Sequence, residues 1–229
     1  MYEILTSSAS AFVIRTPSTD RDTVEGVERA LFLKAMRDAH ISAGDTILDL
    51  GSHIGSFAIV AAKERQCRVI GFEGDVSSLR IAKANTLLND VADLVEFHQV
   101  AVGGGKGVVP FYEATENWGH TIIERGGPYN ILTGRVAEVP LITLGCALSY
   151  VPGGRCAFMK FNIEGAEHEM LETAPPDVLV RIDAMAGEIH YDLGRGDVRS
   201  YVKKLQDCGF VVELVPQYEV RAILLARRN

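Results

Sequence analysis

The stretch Thr46-Ile47-Leu48-Asp49-Leu50-Gly51-Ser52-His53-Ile54-Gly55-Ser56-Phe57 constrains the fold more than any other part of this 229-residue chain. Its apolar run Ile47, Leu48, Leu50 suits a strand covered on both faces. Gly51 and Gly55 lack a Cβ, so the backbone can turn tightly and a ligand can come close to it. A helix restarting after the turn points free N–H groups and a positive dipole end into the same space. Strand, glycine turn and helix in this order form the edge of an α/β sheet that binds a nucleotide-like ligand.

The elements that follow keep the alternation. Residues 57–63 continue the helix, 68–73 (RVIGFE) form a second strand, Asp75 caps a helix over 76–88, and 94–102 form a third strand. Such regular spacing implies right-handed crossovers and a parallel sheet. Residues 103–141 depart from the pattern. A GGGKG turn, strand-like pieces at 108–112 and 137–141, and a polar glycine-rich segment over 113–134 predict a hairpin or flap. It is long for an idle connection. The alternation then resumes with a strand at 157–163 and a helix opened by Glu164-Gly165 and stopped by Pro175-Pro176. A strand at 184–190 and a helix at 197–208 follow. Two strands at 210–215 and 220–226, joined through Pro216-Gln217-Tyr218, must pair antiparallel. Residues 1–44 read as a helical lead-in or lid, with one amphipathic helix over 24–40, and residues 45–229 as the main domain.

Net charge is −7, and no Lys/Arg block is dense enough to neutralise phosphates, so no nucleic-acid partner is expected. Arg65, Arg68, Arg221, Arg227 and Arg228 are too scattered to form a stripe. The four cysteines, at 67, 146, 156 and 208, make no CxxC pair and no metal-ligand spacing. Cys67, Cys156 and Cys208 read as buried thiols, and a cytoplasmic location is expected. Residues 1–10 lack the pattern of a signal peptide, and no apolar run approaches the roughly 20 residues that span a bilayer, so no membrane partner is expected. Oligomeric state leaves no signature.

The loop spacing is D-x-G-x-x-x-G, whereas dinucleotide sites use G-x-G-x-x-G. The middle glycine is His53, so a pyrophosphate would lose its close backbone approach. A ligand without phosphates fits better, and S-adenosylmethionine is one. Asp49, Gly51, Ser52 and His53 then lie about its amino-acid end, and Gly55 lets the helix pack close. Glu73 ends the second strand about 20 residues after the loop, where an acid accepts hydrogen bonds from both ribose hydroxyls; Gly74 follows it.

The strings LDLGSHIGSFA, VIGFEGD, AVGGGKGVVPFY, VPLITL, MKFNIEGAEHEML and GEIH resemble the FkbM-type methyltransferases in order and spacing, over roughly residues 45–212. Lys160 to Glu167 is the most specific piece and looks like the family's K-I-D-x-E-G-A-E signature. The resemblance implies a Rossmann-like class I methyltransferase: an α/β fold with a mostly parallel seven-stranded sheet, a C-terminal antiparallel hairpin and a flap near residues 103–141. It also implies S-adenosylmethionine as donor and a hydroxyl acceptor on a sugar, polyketide or other natural product. Two positions depart from the family pattern. Asn162 stands where the family has Asp, and Gly74 where it has Pro. Asn can position a ligand but cannot act as a general base.

An alcohol nucleophile must lose its proton during transfer. Candidate groups at the carboxyl ends of the strands are Glu164, Glu188 and His190, with Asn162 among them and His120 in the flap. His190 is the first choice, because its reference pKa suits a base near neutrality. Glu188 and His190 share one strand face, and with Glu164 they can hold a divalent ion, although the spacing does not require one. Trp118 and His120 are placed against the acceptor. His40, His98 and His168 read as structural, and Glu167, His168 and Glu169 as a solvated helix face. The expected activity is O-methylation of a small-molecule hydroxyl. The alternatives are a nicotinamide-dependent oxidoreductase, a non-catalytic S-adenosylmethionine-binding module, and methylation of a macromolecular nitrogen.

Overall fold

In the computed structural model, which describes residues 1–7, 9–194 and 196–228, the chain starts with a hairpin, β1 (Tyr2–Ser7) and β2 (Ser10–Arg15), and two helices, α1 (Asp20–Glu25) and α2 (Val27–Asp38). Strands and helices then alternate: β3 (Thr46–Leu50), α3 (Ser56–Arg65), β4 (Arg68–Phe72), α4 (Val76–Leu88) and β5 (Val95–His98). The flap region holds β6 (Ala101–Gly103), β7 (Gly107–Ala114) and β8 (Leu132–Thr143), followed by α5 (Leu144–Leu148). The second half runs β9 (Cys156–Phe161), α6 (Glu167–Thr173), α7 (Pro176–Leu179), β10 (Ile182–His190), α8 (Val198–Asp207), β11 (Phe210–Tyr218) and β12 (Arg221–Arg228).

The central sheet has seven strands in the order β11-β12-β10-β9-β3-β4-β5. From β5 to β10 every pairing is parallel, and β12 runs antiparallel to both neighbours. This is the mostly parallel α/β sheet with a reversed final hairpin that the sequence predicts. Alternation along the strands explains why both faces are covered. Ile47, Val69 and Phe158 pack on one face with Phe57, Ile59 and Leu79 of the helices. Leu48, Ile70 and Met159 pack on the other with Leu144, Met170 and Leu205. The carboxyl ends of β3, β4 and β9 meet at the point where the strand order reverses, which is where open α/β sheets bind ligands.

The lead-in differs from expectation. It opens with a hairpin, and its helix breaks at Gly26, where φ −66° and ψ 157° are extended. Phe12, Ile14, Phe32 and Met36 join the same core as the sheet. The free edge of β2 is closed by side chains of α4. Ala11 N donates to Asn89 Oδ1 (3.0 Å), Val13 N donates to Asn85 Oδ1 (2.7 Å), and both amides return a hydrogen bond to those residues' carbonyls. Such a partner lies more than 70 positions away in sequence and has no local signal.

Four further expectations shift. The third strand splits into β5 and β6, and β6 leaves to join a small sheet of order β6-β8-β7. Glu164-Gly165 do not open a helix; both take positive φ, and α6 starts at Glu167. Pro216 to Tyr218 belong to β11, with a bulge, so the link of the final hairpin is Glu219-Val220. Cys67 and Cys156 are buried, and Cys208 is only partly so. Among the described residues, no helix is long and apolar enough to cross a membrane.

Candidate functional site

The glycine loop hooks over the end of β4. Gly51 N (2.9 Å) and Ser52 N (3.0 Å) both donate to Phe72 O, and Ser52 Oγ donates to Asp49 O at 2.8 Å. Gly51 has φ +74°, and a Cβ there would stand 1.8 Å from the carbonyl oxygen of Asn162. Gly55, at φ +81°, caps α3. His53 N donates to Glu73 Oε2 (2.7 Å) and Asp75 N to Glu73 Oε1 (2.8 Å). Each carboxylate oxygen of Glu73 thus holds one backbone N–H and keeps capacity for another donor, which suits a ribose diol.

Burial pushes the Glu73 carboxyl up to about 7. The ionised form is the better acceptor for hydroxyl donors. Affinity for S-adenosylhomocysteine is therefore expected to rise as pH rises through about 7, and this rise should vanish in Glu73→Gln. Calorimetry across that window checks it; a flat profile for the unaltered protein would remove Glu73 from the ribose.

The lead-in closes on this loop. Burial pushes His53 down to about 3, so its ring is neutral. Nδ1 then donates to Thr23 Oγ1 (3.2 Å) and Nε2 accepts from Arg15 Nη2 (3.1 Å). Arg15 in turn forks onto the fully buried Asp20, at 2.8 and 2.7 Å, and donates to Ser78 Oγ at 2.9 Å. Gly74 also has a packing reason: a Cβ would come within 2.7 Å of the Phe111 ring, so glycine lets this flap aromatic close over the loop.

Lys160, on β9, is a site residue that the sequence reading did not single out. Its Nζ donates to Gly51 O at 2.7 Å and lies 3.1 Å from Asp49 Oδ1. Asp49 is fully buried behind it, so the wall at the amino-acid end presents an ammonium group rather than the expected carboxylate. The residue type was visible in the K-x-N-x-E string, but its reach onto the loop depends on the β3–β9 register, which sets Asp49 beside Lys160.

The other end of the cavity is acidic. Glu164, held at φ +49°, accepts from Asn130 Nδ2 at 2.9 Å and lies 3.0 Å from His190 Nε2. Burial would raise its pKa, but His190, Arg221 and Asn130 together hold it down at about 2. Arg221, on β12 directly across from His190 on β10, donates to Asn130 Oδ1 at 2.7 Å. It also lies 3.5 Å from Glu164, 3.7 Å from Glu188 and 3.5 Å from Asp192. Thr121 Oγ1 donates to Glu164 O at 2.6 Å, so the flap is pinned to the same residue.

His190 does not take the place expected of a base. Its ring is fully buried, and Nδ1 and the backbone N both meet Glu167 Oε1 at 2.9 Å. Burial opposes a charge, but Glu164, Glu167 and Glu188 outweigh it and raise the His190 pKa well above the usual 6.5. The surrounding carboxylates thus favour its imidazolium form. Glu167 and His168 are buried too, not solvated: Glu167 Oε2 accepts from Gly165 N, and His168 Nε2 donates to His190 O. Their helix is roofed by the end of β10 and by Tyr201 of α8.

The resulting cavity has a volume of about 640 Å³, within the range of roughly 300–1,000 Å³ common for small-molecule sites. Of the residues picked from the sequence, Gly51, Ser52, His53, Glu73, Gly74, Trp118, His120, Asn162, Glu164 and Glu188 line it. Asp49, Gly55 and His190 stand behind its wall. Asn162 Oδ1 is buried without a hydrogen-bond partner among the described residues. His120 Nδ1 accepts from Ala114 N at 3.0 Å, and burial lowers its pKa, so the neutral ring keeps its proton on Nε2 and offers a donor rather than a base. Lys160, Arg221 and Arg29 add cations to the lining, and Asp22 and Glu25 add acids; none of these was foreseen.

Solved structures share this fold. An rRNA methylase from Streptococcus thermophilus matches with TM-score 0.54 and 11% identity, over 85% of this chain and 92% of that one. TYW2 of P. horikoshii, solved in complex with MeSAdo, matches with TM-score 0.53 and 11% identity, over 99% of this chain and 70% of that one. In sequence, the ribosomal protein L11 methyltransferase of Chloroflexus aurantiacus is 35% identical over 66 residues, a segment of 29% of this chain and 20% of that protein. The methyltransferase FkbM domain matches residues 49–212, from the buried aspartate of the glycine loop through the acidic cluster to β11, and the chain belongs to that family.

Proposed function

We propose that this protein transfers a methyl group from S-adenosylmethionine to a hydroxyl oxygen of a small molecule. One observation carries the reading: a single cavity joins a ribose-accepting glycine loop to a buried wall bearing Asn162, Glu164 and Glu188. The residues suit the donor. Glu73 offers two oxygens to a diol, Lys160 offers a cation to a carboxylate, and the Gly51 turn admits close approach. When bound, S-adenosylmethionine supplies a methyl group on a positively charged sulfur. The orphaned Asn162 Oδ1 accepts a hydrogen bond from the incoming hydroxyl and orients it. A carboxylate on the same wall takes the hydroxyl proton, and Glu188 is the candidate because Glu164, held at about 2 by His190, Arg221 and Asn130, is a poor base.

The lining favours a small acceptor over a nucleic acid. Among the described lining residues, acids (Asp22, Glu25, Glu73, Glu164, Glu188) outnumber cations, whereas a phosphate backbone needs the reverse. Trp118, Tyr129 and Tyr218 add aromatic surface for a ring-shaped body. The test is transfer of an isotopically labelled methyl group across a panel of sugars, polyketides and phenols, read by mass spectrometry. A labelled methyl ether is the expected product. Label found on nitrogen, on ribosomal RNA or on ribosomal protein, with none on any hydroxyl, would overturn the reading.

A further inference from the structure

At and behind the acceptor wall, the carboxylates of Glu164, Glu167, Glu188 and Asp192 crowd around His190 and Arg221. None of these six side chains is more than 7% exposed. Buried carboxylates gathered on one imidazole are the kind of oxygen cluster that coordinates a metal ion.

The geometry says where such an ion would sit. His190 Nε2 is fully buried, 3.0 Å from Glu164 Oε2 and 3.6 Å from Glu188 Oε2, without hydrogen-bond geometry to either. Its other nitrogen is committed to Glu167 Oε1 at 2.9 Å. A carboxylate holding one imidazole nitrogen so that the other points into a cluster of oxygens is the support that metal-binding histidines use. Ligand atoms of Glu164, Glu188 and His190 all lie within 4.8 Å of one another. On an octahedral ion with bonds near 2.1 Å, neighbouring ligands sit about 3 Å apart and opposite ones about 4.2 Å apart.

We infer that Glu164, Glu188 and His190 bind one divalent cation of the Mg²⁺ or Mn²⁺ class at the floor of the cavity, and that this ion receives the acceptor hydroxyl. Two hard carboxylates and a single imidazole suit such ions, and no thiol is among the ligands. On binding, His190 releases its Nε2 proton and keeps the Nδ1 proton on Glu167. Glu164 and Glu188 also form the cavity wall, so the remaining coordination positions open toward the substrate. The purpose of the ion rests on the hydroxyl-acceptor reading. A positive ion beside the hydroxyl makes its proton easier to lose, which offsets the missing carboxylate at Asn162. During transfer the C–S bonding pair stays on sulfur and a lone pair of the acceptor oxygen forms the C–O bond. The O–H proton passes to the carboxylate of Glu188.

The test titrates Mn²⁺ into the full chain and follows the free-ion signal by electron paramagnetic resonance. The unaltered protein is expected to remove one Mn²⁺ per chain. Glu188→Gln should abolish this, and Glu167→Gln should weaken it by roughly 10- to 100-fold by releasing the His190 ring. Thermal melting and S-adenosylhomocysteine calorimetry establish that each variant is folded, and Glu167→Gln serves if Glu188→Gln is not. Mn²⁺ left free by the folded protein, or bound equally by both variants, overturns the site. Labelled methyl transfer run alongside separates the two readings. Binding of Mn²⁺ without any methyl ether supports the site and sinks the hydroxyl reading. Methyl ethers formed while Mn²⁺ stays free sink the site alone.

Discussion

Gly51→Ala is expected to lower the melting temperature by roughly 6–12 °C and to remove donor binding. The added Cβ would sit 1.8 Å from the carbonyl oxygen of Asn162, which is backbone and cannot swing away. Gly51 also has φ +74°, a conformation that costs an alanine of order 1 kcal/mol before any clash. Adding an overpacking cost of about 2 kcal/mol gives a loss near 3 kcal/mol, and each kcal/mol shifts a domain of this size by roughly 2–4 °C. Gly44→Ala is the control. Gly44 has φ +86° but nothing within 4 Å of a Cβ, so only the backbone cost applies and a fall of roughly 2–4 °C is expected. Equal effects of the two substitutions, measured by calorimetric melting, would refute the close passage of the loop under Asn162.

Arg221→Met should be at least as damaging. Methionine keeps an apolar stem but removes the guanidinium that lies 3.5–3.7 Å from three buried carboxylates and donates to Asn130. Breaking a buried ion pair from one side costs about 3–5 kcal/mol, because the partners stay charged without compensation. That predicts a fall of roughly 6–20 °C. The loss of the Asn130 contact should also loosen the flap, since Asn130 binds Gly119 O as well as Glu164. A fall under about 2 °C would show that the carboxylates relax without Arg221.

What the sequence revealed depends on how locally each feature is encoded. The strand–glycine–helix unit at 46–65 could be read because its apolar run, its turn and its helix lie within 20 residues and each has its own chemistry. Glu73 could be read for the same reason, since the acid ends the next strand. Residues that arrive across the sheet could not. Arg221 reaches the site only through the β10–β12 register that sets it opposite His190. As a sequence feature it looked like one of several scattered arginines. Asn130 and Thr121 come from a flap whose polar, glycine-rich composition says that it is a loop and not where it docks. The β1–β2 hairpin was missed because its stabilising partners, Asn85 and Asn89, sit on a helix far away in sequence.

His190 shows a different limit. Residue type and position alone made it a candidate base. Its protonation depends on three carboxylates brought from α6, β10 and the end of β9. An isolated histidine titrates near neutrality, whereas one enclosed by acids holds its proton. The site is therefore one whose roles are assigned by enclosure: His53 neutral among lead-in residues, His120 neutral under the flap, His190 charged behind the wall.

The cavity at the ends of β3, β4 and β9 is proposed to hold S-adenosylmethionine through Glu73 and the glycine loop. Isothermal titration of S-adenosylhomocysteine into the unaltered protein and into Glu73→Ala tests it most directly, with NADH titrated in parallel. The account predicts one S-adenosylhomocysteine per chain, no heat from NADH, and an affinity loss in Glu73→Ala of roughly tenfold to a hundredfold, as expected for hydrogen bonds to a charged group. Binding of NADH in place of S-adenosylhomocysteine, or equal affinity in the folded Glu73→Ala variant, would contradict it.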